Sequence, residues 1–301
     1  MTTPSQRGRT VVVTGAGRGV GYFVAEGLAA AGARVVLTTR SASQAEVALA
    51  SIRARVPDAQ LEHVTLDLAS LASVRTAAKE LAAYAPIDVL VNNAGRTSAP
   101  RRRETTADGF ETMVGTNAYG PFALTALLWP SLSRDARVIW LGSLATRLSK
   151  ADLADLQQER GRFSVSRAYA ASKHAVHAIA LELDRRARAR GLAVRSILAH
   201  PGFALDATSA RRAGITDTGS AGQKLGDWLL RPMAHGKDRG AAPVIRAATD
   251  PDVQGGQFFG PRFSTVGRPA PTTPVAQSAE PAFGAEVWRL AEEATGVTFD
   301  V

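Results

Sequence analysis

The chain has 301 residues, of which 45% are hydrophobic, and its formal net charge is +9. This composition supports a sizeable folded core and excludes a disordered chain. The absence of cysteine excludes disulfides, thiol nucleophiles and thiolate metal ligands, and the five histidines lack zinc-site spacing, so no bound metal is expected.

The positive charge does not predict a nucleic-acid surface. Arginines are dispersed among alanines, as in DRRARARG at 184–191, and do not form a recognition stripe. The N-terminal sequence MTTPSQRGRT is polar, and no apolar run reaches membrane-spanning length, so the cytoplasm is the expected compartment. A basic chain still favours anionic ligands, and a phosphorylated cofactor is one of them.

Apolar, β-rich runs alternate with helix-period segments along the chain. The predicted strands cover 10–15, 34–39, 61–68, 87–95, 137–143 and 193–202, with a short last strand at 257–261. The predicted helices lie near 20–31, 43–55, 70–84, 107–129, 169–190 and 281–295. This alternation is typical of an α/β protein with a Rossmann-like, doubly wound parallel β-sheet and helices on both faces. Ligands bind such sheets at the carboxyl ends of the strands.

The chain is expected to form a single domain over 1–301. The periodicity weakens over 203–240, where a substrate loop with one possible helix at QKLGDWLLRPM (223–233) is expected. Residues 262–301 are expected to form a C-terminal extension that begins with a proline-rich connection.

A glycine-rich turn follows the first predicted strand, in VVVTGAGRGVG. The fingerprint GxGxxG is not met, but Gly15, Gly19 and Gly21 follow the spacing GxxxGxG. Such glycines permit a tight turn, close approach of the backbone to a pyrophosphate and close packing of helix on strand. An ordinary tight turn is the alternative reading, and the glycines alone do not decide between the two.

The end of the second predicted strand bears on the choice of cofactor. An NAD site needs an acidic residue there for the ribose hydroxyls, but this chain has Thr39 and Arg40. Arg40, together with Arg18 inside the glycine turn, can pair with a 2′-phosphate through charge-assisted hydrogen bonds. The alternative is two solvated surface arginines. NADP(H) is therefore the expected cofactor.

A series of short motifs resembles the short-chain dehydrogenase/reductase family over about residues 8–260. They are, in chain order, TGAGRGVG, LDLAS, NNAG, GTNAYG, WLGS, YAASK and HPG. The stretches LDLASLASVR and TADGFETMVGTNAYGPFALTALLWPSL resemble its retinol-dehydrogenase-like and WW-domain-oxidoreductase-like branch. The resemblance implies an NADP(H)-dependent oxidoreductase with a small-molecule carbonyl or alcohol substrate, working as a monomer or homodimer.

The resemblance also implies roles for single residues. The implied catalytic residues are Asn117, Ser143, Tyr169 and Lys173. The implied cofactor-binding residues are Gly15, Gly17, Arg18, Gly19, Val20, Gly21, Thr39, Arg40, Asp67, Leu68, Asn93, Ala94, Gly95, Tyr169, Lys173, Pro201 and Gly202. Among these, Asp67 would contact the adenine and Lys173 the nicotinamide ribose, while Asn117 would belong to a water relay.

The chemistry is expected to centre on Tyr169. Lys173 follows it by four residues on a predicted helix, so the two side chains point the same way. A nearby ammonium group stabilises a phenolate, and we therefore expect Lys173 to lower the pKa of Tyr169. Tyr169 would then exchange a proton with the substrate oxygen, and Ser143 would orient the same oxygen. Taken alone, Tyr169 could be a half-buried aromatic residue and Ser143 a strand-end cap.

Three features depart from the family pattern, and a separate loop is strongly basic. Gly142 replaces a common serine, a change expected to remove only a hydroxyl, and a long insertion at 144–168 is expected to reshape the pocket rim. Asp206 stands near the place of a threonine that contacts the nicotinamide amide, a contact that Thr208 could supply instead. The arginines at 101–103 either attract an anionic substrate or are simply solvated.

Two other functions are weighed against this interpretation. A SAM-dependent methyltransferase also has a doubly wound sheet and a glycine turn, but it needs an acid after the second strand and has no use for a YxxxK motif. A redox-sensing regulator binds NADP without turnover, and such proteins typically lose the tyrosine or the lysine. The substrate expected for the enzyme is a fairly large, apolar ketone or aldehyde.

Overall fold

The computed structural model describes residues 3–216 and 233–301, in which a sheet of eight strands runs in the order β10-β9-β6-β5-β4-β1-β2-β3. All neighbouring strands of this sheet are parallel except β9 and β10. Two further short strands, β7 and β8, pair with each other. The strands are β1 Thr10–Thr14, β2 Arg34–Thr39, β3 Leu61–Thr65, β4 Ile87–Asn92, β5 Leu132–Leu141, β6 Arg195–Ala199, β7 Ala204–Leu205, β8 His235–Gly236, β9 Phe258–Pro261 and β10 Pro269–Thr272.

Helices cover both faces of the sheet, which confirms the predicted α/β, Rossmann-like architecture. They are α1 Gly19–Ala30, α2 Ala42–Arg53, α3 Leu71–Ala82, α4 Thr112–Val114, α5 Gly120–Leu128, α6 Val165–Ala189, α7 Lys237–Gly240, α8 Ala242–Thr249, α9 Ala276–Ala279 and α10 Pro281–Thr295. A π-helical turn, Gly115–Tyr119, joins α4 to α5. Within the described ranges, no helix combines the length and the apolar character needed to cross a bilayer.

The apolar runs become strands because both of their faces are buried. In β1, Val11 and Val13 point into the core under α1 and α8, whereas Val12 points into the core under α5 and α6. All three valines are fully buried. A strand covered on both sides needs apolar residues at successive positions, and the near-continuous hydrophobic run in the sequence reflects this requirement.

The strand order places a crevice beside β1. The chain proceeds from β1 to β2 and β3 on one side and then returns to add β4 and β5 on the other side. Helices that follow β1 and β4 therefore diverge from this point, and the loops at the carboxyl ends of these strands are left open to a ligand.

Several element boundaries differ from the prediction. The helix predicted at 107–129 begins only at Thr112, where the carboxylate of Glu111 caps the backbone N–H groups of Met113 and Val114 at 3.0 and 2.9 Å. Strand β5 begins at Leu132, five residues before its predicted start at 137. The possible helix at 223–233 lies, Met233 apart, outside the described residues.

The proline-rich connection contains a strand that the sequence did not predict. Pro269 and Pro271 lie in β10, which pairs antiparallel with β9. Proline has no N–H to donate and is tolerated in a strand mainly at the edge of a sheet, which is the position of β10. Proline content thus hid a strand that only its edge position makes possible.

An aromatic cluster attaches the C-terminal extension to the sheet. Trp288 of α10 is fully buried, stacks on Phe299 with ring centroids 5.0 Å apart, and meets Phe122 of α5 edge to face at 5.0 Å. The guanidinium of Arg186 on α6 lies 4.4 Å from the centre of the indole. The extension therefore contributes to the same core as α5 and α6.

We expect Trp288→Ala to lower the free energy of unfolding by about 3–5 kcal/mol, because it removes a large buried side chain and leaves a cavity. The matched control is Phe263→Ala, since Phe263 is 70% exposed, and its change is expected to stay within about 0.5 kcal/mol. Urea denaturation of the full chain measures both. Equal losses for the two variants would contradict a core role for α10.

Candidate active site

The glycine turn between β1 and α1 is packed against the end of β4. Gly15 and Gly19 have positive φ angles of 65° and 66°, which side chains rarely adopt. A Cβ atom on Gly15 would lie 2.8 Å from Cβ of Ala94, and one on Gly21 would collide with the side-chain amide of Asn93. The close approach of the segment after β4 therefore requires Gly15 and Gly21, whereas the positive φ angle favours glycine at 19.

Hydrogen bonds from Thr14 and Asn93 hold these two segments together. The Thr14 hydroxyl donates to the carbonyl of Val91 at 3.2 Å and accepts the backbone N–H groups of Asn93 and Ala94, each at 3.0 Å. The amide of Asn93 donates back to the Thr14 carbonyl at 2.7 Å. The TG and NNAG motifs thus form one bonded unit at the crevice.

The arginines predicted for a 2′-phosphate lie on the surface beside this unit. Thr39 is buried at the end of β2, and its methyl group lies 3.0 Å from the position of a Cβ on Gly17. Arg18 and Arg40 are exposed, and neither guanidinium has a hydrogen-bond or ion-pair partner among the residues that the structure describes. Both remain available to an anion.

Asp67 and Leu68 mainly contact other parts of the chain. The carboxylate of Asp67 accepts the backbone N–H of Ala69 at 3.0 Å, and the backbone N–H of Asp67 donates to the hydroxyl of Ser73 on α3 at 2.9 Å. Leu68 is buried, and its carbonyl touches Gly120 of α5 so closely that no side chain fits there. No hydrogen bond or ion pair in the described part of the chain joins this pair to the glycine turn.

Asn117 lies in the π-helical turn and links two predicted parts of the site. Its amide donates to the carbonyl of Arg96 and to the hydroxyl of Ser172, both at 2.9 Å, and its oxygen accepts the N–H of Arg96 at 2.7 Å. A Cβ on Gly95 would lie 2.9 Å from that oxygen and 3.9 Å from Nζ of Lys173. A π turn is rare and often marks a functional position.

Three side chains spaced four residues apart on α6 contact the end of β5. The hydroxyl of Tyr169 interacts with the side chain of Ser143. The ammonium of Lys173 donates to the carbonyl of Leu141 at 2.7 Å, and Nε2 of His177 accepts the N–H of Ser143 at 3.3 Å. One face of α6 thus contacts the end of β5 through all three side chains.

The pKa of Tyr169 shifts in the direction opposite to our expectation. Burial raises its pKa, and the nearby Ser143 side chain opposes that shift only in part. Lys173 does not reverse it, because its ammonium is bound to the Leu141 carbonyl and lies 5.9 Å from the centre of the phenol ring. Burial also lowers the pKa of Lys173 to about 8. Desolvation, which disfavours both charged forms, outweighs the pairing that the spacing suggested.

Sequence reasoning missed His177, which occupies the space beside Gly142. A Cβ on Gly142 would lie 2.5 Å from Nε2 of His177, so the expectation that this glycine removes only a hydroxyl is wrong. Burial and the neighbouring positive charges hold the pKa of His177 well below its usual value, so the ring is neutral. The spacing of His177, four residues after Lys173, was the signal available in the sequence.

The PG motif closes the edge of the site near β6. Gly202 has φ of 70°, and its N–H donates to Nδ1 of His200 at 3.1 Å. The carbonyl of Pro201 accepts Nε2–H of His235 at 2.6 Å. A side chain on Gly202 would collide with the carbonyl of Thr265. The motif therefore packs against both the β7–β8 pair and the loop between β9 and β10.

The departure at Asp206 and the basic loop at 101–103 both have structural partners. Asp206 forms an ion pair with Lys237 at 2.6 Å, and the Thr208 hydroxyl donates to the carbonyl of Leu205 at 3.3 Å. In the loop at 101–103, Arg102 pairs with Glu104 at 3.2 Å. Arg103 contacts Gln157 and Glu159 of the insertion, at 2.9 and 3.2 Å respectively.

Comparison with known proteins agrees with this geometry. A profile of the short chain dehydrogenase family matches residues 9–213. Polyprenol dehydrogenase of Mus musculus is 39% identical over 259 residues, which cover 84% of this chain and 75% of that protein. Retinol dehydrogenase 13 of Mus musculus is 38% identical over 228 residues, with 74% and 67% covered.

Solved structures share the fold. A crystal structure of an uncharacterized protein from Mycobacterium Paratuberculosis superposes with a TM-score of 0.80 at 35% identity, covering 99% of this chain and 97% of that one. A short chain dehydrogenase from Burkholderia cenocepacia in complex with NADP gives a TM-score of 0.60 at 26% identity, covering 81% and 91%. The chain belongs to the short-chain dehydrogenase/reductase family of oxidoreductases, in its retinol-dehydrogenase-like branch.

The contact between Gly142 and His177 is open to a double-mutant test. We expect Gly142→Ala to lower the free energy of unfolding by about 1–3 kcal/mol, because the added methyl group overpacks against the imidazole. In a His177→Ala background this cost should shrink by about 1 kcal/mol or more, since the space is then open.

His174→Ala is the matched control, because His174 bonds to Ser278 and Ser149 and is not among the atoms nearest Gly142. Gly142→Ala and His174→Ala should therefore be additive in urea denaturation. Additivity of Gly142→Ala with His177→Ala as well would show that the imidazole does not fill this space.

Proposed function

We propose that this chain is an NADP(H)-dependent oxidoreductase that interconverts a ketone or aldehyde with its alcohol, with Tyr169 as the acid and base. The observation that carries the proposal is the contact of Tyr169 and Lys173 with the end of β5, at Ser143 and Leu141. The membership of the family supports the reaction class. The proposal includes the whole chain, 1–301, as one nucleotide-binding domain.

The residues around the glycine turn suit a phosphorylated dinucleotide. Gly19 lies at the N-terminus of α1, which attracts anionic groups, and Gly17 packs closely on Thr39. Among the described residues beyond its chain neighbours, a Cβ atom on Gly19 would be in ordinary contact with Lys237 only. Arg18 and Arg40 supply exposed positive charge for a 2′-phosphate, and the second strand ends without a carboxylate that would select NAD. Solved relatives in complex with NADP support the same choice. When bound, NADP(H) supplies or accepts the hydride.

The side chains at the end of β5 suit proton transfer to a carbonyl oxygen. The raised pKa of Tyr169 keeps its phenol protonated at neutral pH, as a proton donor requires in the reductive direction. The Ser143 hydroxyl, at the same strand end, can donate a second hydrogen bond to that oxygen. Lys173, held by Leu141, contributes positive charge beside the phenolate that forms, and Asn117 fixes the Arg96 backbone next to it.

The substrate proposed is fairly large and apolar. The relatives named polyprenol dehydrogenase and retinol dehydrogenase 13 bear the names of apolar alcohols. In this chain, the insertion at 144–168 carries Leu148 with its side chain 82% exposed, and Arg147 ties the insertion to Ser264 between β9 and β10 at 3.4 Å. A single exposed apolar side chain does not define a binding surface, so the support for an apolar substrate comes from the two relatives.

A redox-sensing regulator that binds NADP without turnover is the second candidate, and turnover itself separates the two. The methyltransferase considered from the sequence is set aside, because the family shown by the comparisons is one of oxidoreductases. Assays with retinal and with aromatic and aliphatic ketones, in which the oxidation of NADPH is monitored, test the enzyme directly.

We expect Tyr169→Phe to lower turnover by roughly 100- to 10,000-fold, because it removes the proton donor and keeps the ring. NADPH binding should be retained, as measured by fluorescence titration. Tyr84→Phe is the control, since Tyr84 lies after α3 and packs under Arg34. Full turnover in Tyr169→Phe would exclude it as the acid.

We expect Arg40→Ala to weaken binding of NADPH by about 10- to 100-fold and to leave NADH nearly unchanged, because only NADPH carries the 2′-phosphate. Arg134→Ala removes the same charge at the amino end of β5, away from the carboxyl ends of the strands, and should change neither affinity. An unchanged preference for NADPH in Arg40→Ala would contradict the cofactor assignment.

A further inference from the structure

The side chain of Lys237, which no motif singled out, lies over the glycine turn. Its Nζ and Cδ atoms are 3.8 Å from the position that a Cβ on Gly19 would occupy, and among the described residues other than the immediate chain neighbours of Gly19 no other side-chain atom lies within 4 Å of that point. Gly19 is the first residue of α1, a helix of 12 residues. An ammonium group therefore stands in front of the backbone where the turn becomes a helix.

This ammonium is paired with a single carboxylate. Nζ of Lys237 lies 2.6 Å from Oδ2 of Asp206, and the side chains are 25% and 42% exposed. A lysine carries three donors, and this one uses one of them on Asp206. A partly exposed pair of this kind contributes little to stability, and its lysine can still donate to a second anion.

Other contacts already hold the chain around Asp206 next to the chain around Lys237. β7 pairs with β8, with Ala204 opposite His235 and Leu205 opposite Gly236. The backbone N–H of Lys237 donates to Ser209 at 2.8 Å, and the carboxylate of Asp238 accepts the N–H of Ala210 at 3.2 Å. Since these contacts join β7 to β8 without the ion pair, the ion pair between Asp206 and Lys237 is not needed to hold the two strands together.

We propose that Lys237 binds the pyrophosphate of the dinucleotide at the glycine turn, and that Asp206 weakens this contact by competing for the ammonium. The inference rests on the proposed function, because it places the cofactor at this turn. It assigns separate tasks to the cations of the site: Arg18 and Arg40 bind the 2′-phosphate, whereas Lys237 binds the group that NADPH and NADH share.

The charges of the two residues predict opposite effects on affinity. Lys237→Met should weaken NADPH and NADH alike, by about 10-fold, because one charge-assisted contact is lost and Asp206 is left to repel the phosphates. Asp206→Asn should tighten both by about 3-fold, because the repulsion is removed and the ammonium is released. Lys237→Arg, which keeps the charge, should bind both cofactors within about 3-fold of the unmodified chain.

Fluorescence titration of the full chain with NADPH and with NADH measures these shifts, and urea denaturation checks that each variant is folded. The matched charge controls are Lys79→Met on α3, under the other face of the sheet, and Asp252→Asn before β9, at the amino ends of the strands. Both should change either affinity less than 2-fold.

The outcomes separate this inference from the function on which it rests. If the unmodified chain bound neither dinucleotide, the proposed function itself would fail. If it bound them but Lys237→Met had no effect, or weakened NADPH alone, Lys237 would not contact the pyrophosphate. If Asp206→Asn weakened binding as Lys237→Met does, the pair would be a structural tie and the competition would be wrong.

Discussion

The hydrogen bonds that join Asn93 and Thr14 hold the two halves of the site in register. They connect the end of β4 to the glycine turn after β1, and the neighbouring Gly95 then reaches Asn117 and the end of Lys173. Without this join, the turn that suits a dinucleotide and the helix that carries Tyr169 would be separate features of one sheet. Gly21 is required because the Asn93 side chain fills the space that a Cβ would need, and Gly15 because Ala94 does so.

Desolvation governs the chemistry of the other half. The pKa of Tyr169 is raised, and those of Lys173 and His177 are lowered, so all three shifts favour the neutral form. Tyr169 and His177 are therefore neutral at pH 7, whereas Lys173, with a pKa of about 8, still carries its ammonium charge. A phenol kept neutral by burial is suited to donate a proton, and an ammonium beside it gains importance when negative charge develops on the phenolate.

The charged groups nearer the surface show how this basic chain uses its arginines. Arg212 is bound to Glu26 and Arg103 to the insertion, so these side chains serve the fold. Arg18 and Arg40 have no such partner among the described residues. Arginine thus either pairs within the fold or stays unpaired at the surface. A nearby acceptor decides between the two, and composition cannot show whether one is present.

The sequence by itself determined the main alternation of strands and helices, because buried parallel strands impose a local pattern on residues close together in the chain. Its short motifs also determined the family and the segments that carry the glycine turn, Ser143, Tyr169 and Lys173. Tertiary structure alone decided what depends on contacts between distant segments. Strand β10 exists because an edge position tolerates proline, and Gly142 is small because His177 stands behind it.

The same distinction explains the pKa of Tyr169 and the place of Lys237. The four-residue spacing correctly placed Tyr169 and Lys173 on one face of α6, but the direction of the pKa shift depends on how much solvent packing removes, and the Leu141 carbonyl that binds the ammonium comes from another element. Lys237 is separated from Gly19 by most of the chain, and only the folded sheet brings the two together. Local spacing shows which groups can act, whereas burial and long-range contacts determine their charge and their partners.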